Sequence, residues 1–165
     1  MATNWTPILV AGGSALALGV IGGLTTPIGT WYRSLRKPSF QPPDWAFGPA
    51  WTIILGCAAA AAVIAWNAAA TPAERADILI LFGVNAVFFL AWSPLFFVAK
   101  RPDWARIEVI FLWASVLALT IGLRPISPTA SWLVAPYLVW VSFAAVLNHA
   151  IVRLNGPFRR SRLAR

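Results

Sequence analysis

The chain has 165 residues, 59% of them hydrophobic and 11% charged, with a mean hydropathy of +0.73. A water-soluble domain carries about a quarter charged residues, so this composition excludes an ordinary soluble enzyme and points to lipid. The net charge of +8 sits beside apolar runs rather than in one basic face, which fits membrane orientation and anionic-lipid contact and argues against nucleic acid as a partner.

No Asp, Glu, Lys or Arg occurs in residues 1–32, 45–73, 78–99 or 125–152. Each run is long enough to cross a bilayer as a helix of about 20 residues. A fifth apolar stretch follows Trp104, with Arg106 and Glu108 at its start. The predicted fold is therefore all-α, a five-transmembrane-helix bundle, with spans near 7–26, 46–69, 78–99, 104–123 and 131–153. Residues 1–155 form one membrane domain and 156–165 a basic tail. The opening run lacks a cationic start, so it reads as a retained helix although Ala15-Leu16-Ala17 resembles a cleavage site.

In the first span, Ala11, Ala15, Gly19 and Gly23 fall four apart on one face. Small residues at this spacing let two helices approach closely, either within the bundle or between two copies, and in an alternative reading the chain is a membrane scaffold that recruits partner proteins through this face. The segment from Trp31 to Trp51 comes next and is the densest in the chain. It holds Trp31, Tyr32, Phe40, Trp45, Phe47 and Trp51 on a backbone stiffened by Pro38, Pro42, Pro43 and Pro49. A proline-rich backbone gives up little entropy in holding flat rings in place. The loop reads as the lid or wall of a site for a flat apolar ligand.

The second span carries the run Ala58 to Ala62, slim enough to pack tightly or leave room for a ligand. Thr71-Pro72-Ala73-Glu74 is a capping box in the short connection to the third span. The third span brings Asn85, Trp92 and Phe96; the fifth aligns Pro136, Trp140, Phe143 and Leu147 on one face. Asn85 at membrane depth serves either an interhelical hydrogen bond or a ligand.

Arg33, Arg36 and Lys37 in the first loop, Lys100, Arg101 and Arg106 in the third, and five arginines from Arg153 onward share one side. Arg75 and Arg124 alone lie on the other. By the positive-inside rule the N-terminus is outside and the C-terminus cytoplasmic, which favours an inner over an outer membrane.

Conventional catalytic chemistry has little to work with. The five carboxylates, His149 and Cys57 form no paired acid, metal-ligand or nucleophile motif, and one cysteine cannot form an intramolecular disulfide. No metal site and no obligatory cofactor are expected. Glu108 is expected to pair with Arg106 or Arg101, the alternative being a proton relay, and Asn148 to bond across helices. The ten tryptophans are the chemical resource. Trp5, Trp31, Trp45, Trp66, Trp104 and Trp132 lie near span ends, where indoles favour the interface. Trp51, Trp92, Trp113 and Trp140 lie deeper and need either a partner for their N–H or a polar cavity beside it.

Trp31-Tyr32, Leu35, Lys37-Pro38, Pro42-Pro43, Trp45, Pro49 and Trp51 stand in order in the first loop and second span. Trp92, Pro94 and Phe96-Phe97 follow, then Pro136-Tyr137-Leu138, Trp140, Phe143-Ala144, Leu147-Asn148 and Arg153. This series closely resembles the TspO/translocator-protein family, the tryptophan-rich sensory proteins also called peripheral benzodiazepine receptors, over about residues 7–155. The resemblance implies a bundle, commonly a homodimer, that binds porphyrin-type tetrapyrroles and benzodiazepine-like ligands beneath the first loop. It implies roles in tetrapyrrole transport, stress signalling or light-dependent porphyrin breakdown. Carried over by position, Trp51, Trp104, Trp140, Ala144 and Leu147 line the pocket, with Asn85 in a slot that is often glutamine. From the residues themselves Trp31, Trp45, Trp92 and Phe143 join this set. Trp51 and Trp140 match the indoles implicated in porphyrin breakdown, and would be catalytic if the protein is photo-oxidative.

Four positions depart from the family pattern. Phe40 stands where tryptophan is frequent, Phe89 where asparagine is usual, and Leu55 where an aromatic is common. His149 replaces the tyrosine of the proposed cholesterol motif, so sterol specificity is not expected.

Overall fold

The computed structural model describes residues 5–158 and is helical throughout its ordered elements. The helices are α1 (Thr6–Leu24), a short α2 in the first loop (Thr30–Ser34), α3 (Phe47–Ala68), α4 (Pro72–Ser93), α5 (Pro102–Leu123) and α6 (Pro128–Asn155). A 3-10 turn, Asp44–Ala46, leads into α3, and a π-helical turn, Pro94–Val98, extends α4. Five of the helices, α1 and α3 to α6, are long and apolar enough to cross a membrane.

The expected spans are all present, and their ends differ in instructive ways. α4 begins at Pro72, six residues before the uncharged run, because the capping box opens the helix itself. The Thr71 hydroxyl accepts from the Glu74 N–H at 3.2 Å while the Glu74 carboxylate accepts from the Thr71 N–H at 3.2 Å. At the other end Pro94 has no N–H to continue the ladder, and the backbone widens to a π turn. Lys100, at φ 53°, then reverses the chain in the left-handed region. The arginines from Arg159 onward in the expected tail lie outside the described residues.

Around the bundle the order is α1, α3, α6, α5, α4, and the ring closes where α4 meets α1 only sparsely. The densest packing is between α5 and α6. Ala105, Val109, Leu112, Val116, Leu119 and Leu123 bury one stripe of α5 against Val134, Tyr137, Val141 and Ile151 of α6. Between apolar helices in lipid, close packing rather than hydrophobic collapse holds this seam. α1 buries no residue fully and leans mainly on α3. A Cβ on Gly19 would sit 3.4 Å from Leu55, so the small-residue ridge faces its own bundle at that point.

Candidate ligand site

Beneath the first loop the aromatic side chains form a continuous series of ring contacts. Trp51 on α3 meets Phe89 of α4 at 5.2 Å, Tyr137 of α6 at 5.9 Å and Trp140 at 6.2 Å, each nearly edge-on. Trp140 then touches Phe47 and Phe143, both at 5.7 Å, and Phe143 reaches Phe40 of the loop at 6.3 Å. Edge-to-face geometry sets the positive rim of one ring against the negative face of the next. The series therefore runs from the bundle interior to the underside of the loop.

A second aromatic group anchors the loop. Trp31 packs against Phe96 at 6.2 Å, Trp92 stacks on Phe96 at 5.2 Å, and buried Tyr32 meets Phe97 at 5.3 Å. Leu147 is buried in the same cluster. The Tyr32 hydroxyl donates to Asp44 at 3.3 Å and accepts from Gln41 at 3.1 Å, while the Lys37 ammonium lies 4.1 Å from its ring centre and 3.5 Å from Asp44. Burial, together with the Asp44 carboxylate, pushes the Tyr32 pKa up to about 12. Within the loop, Arg36 is bonded to the Asn155 side chain, which accepts from the Arg36 N–H at 2.7 Å and donates to the Arg36 carbonyl at 2.8 Å.

Trp51, Trp140 and Phe143 of the expected site thus come together, with half-buried Ala144 beside Phe143 in sequence. Trp31, Trp92 and Leu147 join the anchoring cluster. Two residues do not converge on either group. Trp45 is 75% exposed, and Trp104 is half exposed with the Arg101 guanidinium 4.2 Å over its ring. Asn85 is buried and donates to the Ser115 hydroxyl at 2.9 Å, which bears out the interhelical reading. It also borders a cavity of about 590 Å³ in the half of the bundle remote from the first loop.

The expectation for Glu108 is corrected. Arg101 pairs instead with Asp103, two residues along, through Nε to Oδ1 at 2.8 Å. Glu108 lies on the buried stripe of α5, and neither of its oxygens has a hydrogen-bond partner. Asn148 is likewise buried without the interhelical bond expected of it. Trp113 does find a partner, donating to Ser142 at 2.8 Å, whereas the Trp92 N–H has none.

Sequence reasoning missed the Tyr32–Gln41–Asp44 bonds and the Asn155 clamp, and it allowed for space beside the alanine run without placing the cavity. The polar residues Gln41 and Asp44 inside an aromatic loop were the available signal for the first. Asn155 offered none, because its partner is a backbone 119 positions away in sequence.

The fold and the loop-covered aromatic array define an integral, multi-pass α-helical membrane protein. The TspO/MBR family matches residues 11–154, and the chain belongs to that family. Over 145 residues it is 34% identical to the Tryptophan-rich protein TspO of Chlorobaculum tepidum, covering 87% of this chain and 92% of that protein. It is 32% identical to the human Translocator protein over 168 residues, covering 98% of each. It is also 30% identical to the Tryptophan-rich sensory protein of Cereibacter sphaeroides over 155 residues, 94% of this chain and 95% of that one.

Proposed function

We propose that the protein binds porphyrin-type tetrapyrroles, and related flat synthetic ligands of the benzodiazepine type, beneath the first loop, and so influences tetrapyrrole efflux or turnover and stress signalling. The series of rings from Phe89 through Trp51 and Trp140 to Phe143 and Phe40 carries this reading. Rings held at fixed tilts on three helices offer a planar macrocycle several π faces and edges at little entropic cost. Arg33 and Arg36 lie on the same loop, free of ion pairs among the described residues, and suit the ligand's propionates. The first loop faces the cytoplasm in this reading, from the placement of the cations, and the functional unit is a homodimer in the inner membrane.

The test is a dark titration of the reconstituted protein with protoporphyrin, followed by tryptophan quenching, in wild type and Trp140→Phe with empty liposomes as control. Saturable binding weakened by the substitution supports the site. Quenching that never saturates and ignores the substitution means porphyrin merely dissolves in lipid, and the reading fails.

The contact between Trp51 and Trp140 favours a second reading, in which these two indoles take part in photo-oxidising bound porphyrin. Loss of porphyrin absorbance that needs light and oxygen, and stops in Trp51→Phe or Trp140→Phe, distinguishes it from binding alone.

A further inference from the structure

The cavity in the other half of the bundle has a composition unlike the aromatic series. It lies where α1, α3 and α4 leave their sparse seam, walled by Ala11, Ala15, Ala58 and Ala62. Val10 and Leu79 stand on its sides and are 59% and 58% exposed, so the space reaches the lipid-facing surface of the bundle. The small side chains of the alanine run are what keep it open.

Two polar groups mark its ends. Arg75 lies at one, its guanidinium 5.3 Å from the ring centre of Trp66, which also lines the cavity. Among the described residues no carboxylate pairs with Arg75; the neighbouring Glu74 is engaged in the capping box. At the other end stands Tyr137, 2% exposed, with a hydroxyl that lies beside the Asn85 amide but forms no well-aligned hydrogen bond. Asn85 directs its Nδ2 to Ser115. Arg75 and Asn85 are ten residues apart on α4, about 15 Å at about 1.5 Å per residue. Phe89 and Tyr137, which line the cavity, also touch Trp51 and so stand between it and the aromatic series.

We propose that this cavity binds a long-chain carboxylic acid bearing a second oxygen near mid-chain, its carboxylate at Arg75 and that oxygen at Tyr137. A cation at the mouth, an alanine-walled passage and a buried hydroxyl recognise an elongated amphiphile with two polar points. A flat macrocycle has no such length, and a plain hydrocarbon leaves both polar ends unmatched. The exposed sides at Val10 and Leu79 admit such a molecule from the bilayer. The site adjoins the one proposed for tetrapyrroles, with Phe89 and Tyr137 as the shared wall.

The test uses the purified protein in lipid nanodiscs and parinarate, a fluorescent long-chain acid excited by transfer from tryptophan. Unlabelled stearate, a mid-chain hydroxystearate and its methyl ester compete for the site. In wild type the hydroxy acid should displace parinarate about fivefold better than stearate, the worth of one hydrogen bond. It should exceed its methyl ester by about tenfold, as a charge-assisted contact warrants. Tyr137→Phe should erase the first preference alone and Arg75→Gln the second alone; Ala62→Phe should abolish saturable binding. The proposal is overturned by absence of saturable binding in wild type, or by both preferences surviving in their respective variants. Should Ala62→Phe fail to fold, the two preferences still decide.

Discussion

Asn155 and Arg36 are joined by a reciprocal pair of hydrogen bonds, side-chain amide to backbone N–H and backbone carbonyl, at 2.7 and 2.8 Å. Asn155 is also the last residue of α6, where its Nδ2 donates to the Ile151 carbonyl at 2.9 Å. The end of a helix packed on both α3 and α5 therefore holds the middle of the first loop by its backbone. The loop's position is set by α6, the same helix that carries Trp140 and Phe143.

Asn155→Ala should loosen the loop without unfolding the bundle. The bonds are partly solvated, so the loss is about 1 kcal/mol each at most. Hydrogen exchange across residues 31–46 should accelerate by about tenfold while α5 and α6 stay protected. Unchanged exchange in the loop would show that the aromatic contacts of Trp31 and Tyr32 hold it unaided.

Tyr32 gives the loop a pH dependence. Burial and the Asp44 carboxylate raise its pKa from 10.0 to about 12, so the neutral phenol is the form the folded loop prefers. The group's contribution is fully present below pH 10 and is lost as pH rises through about 12. Fluorescence of the loop tryptophans should report loosening over that window, and Tyr32→Phe should remove the transition. A wild-type signal that is flat to the upper limit would contradict it.

Much of this was legible in the sequence because lipid imposes a simple rule: uncharged runs of sufficient length become helices. The capping box at Thr71 was also readable, since its partners lie three residues apart. What periodicity could not supply was which side of a helix meets which neighbour. Trp45 and Trp104 stand near span ends, where sequence allowed either the interface or the site; both turn outward, and only Trp51 enters the ring series. Glu108 was misread because proximity in sequence favoured the nearby arginines, whereas the turn of α5 carries it to the buried stripe. The alanine run announced spare volume without saying that α1 and α4 would leave it unfilled.

Thr71→Ala should destabilise the start of α4. It removes the acceptor for the Glu74 N–H and breaks the capping box, a loss of about 1 kcal/mol. Exchange of amides in the first turn after Pro72 should speed up by several fold, with the thermal midpoint falling only slightly. Thr71→Ser should behave as wild type; if both variants frayed equally, the hydroxyl would not be the cap.

Gly122 lies where α5 passes Leu81 of α4, and a Cβ added there would stand 2.7 Å from Leu81 Cδ1. Two effects oppose one another in Gly122→Ala. Alanine favours the helix by about 1 kcal/mol over glycine. Leu81 is half-buried and meets the new Cβ with a methyl tip, so the cost depends on whether that tip can turn away, reaching about 1–3 kcal/mol where the seam holds it. The clash should win, lowering the stability of the single variant by up to about 2 kcal/mol. With Leu81→Ala as background the obstruction is gone and only the helix preference remains, so Gly122→Ala should then stabilise by about 1 kcal/mol. Thermal denaturation of the four proteins in one detergent measures the coupling directly. A change of sign between the two backgrounds identifies contact with Leu81 as the reason for glycine at this position, and an identical effect in both would place the reason elsewhere.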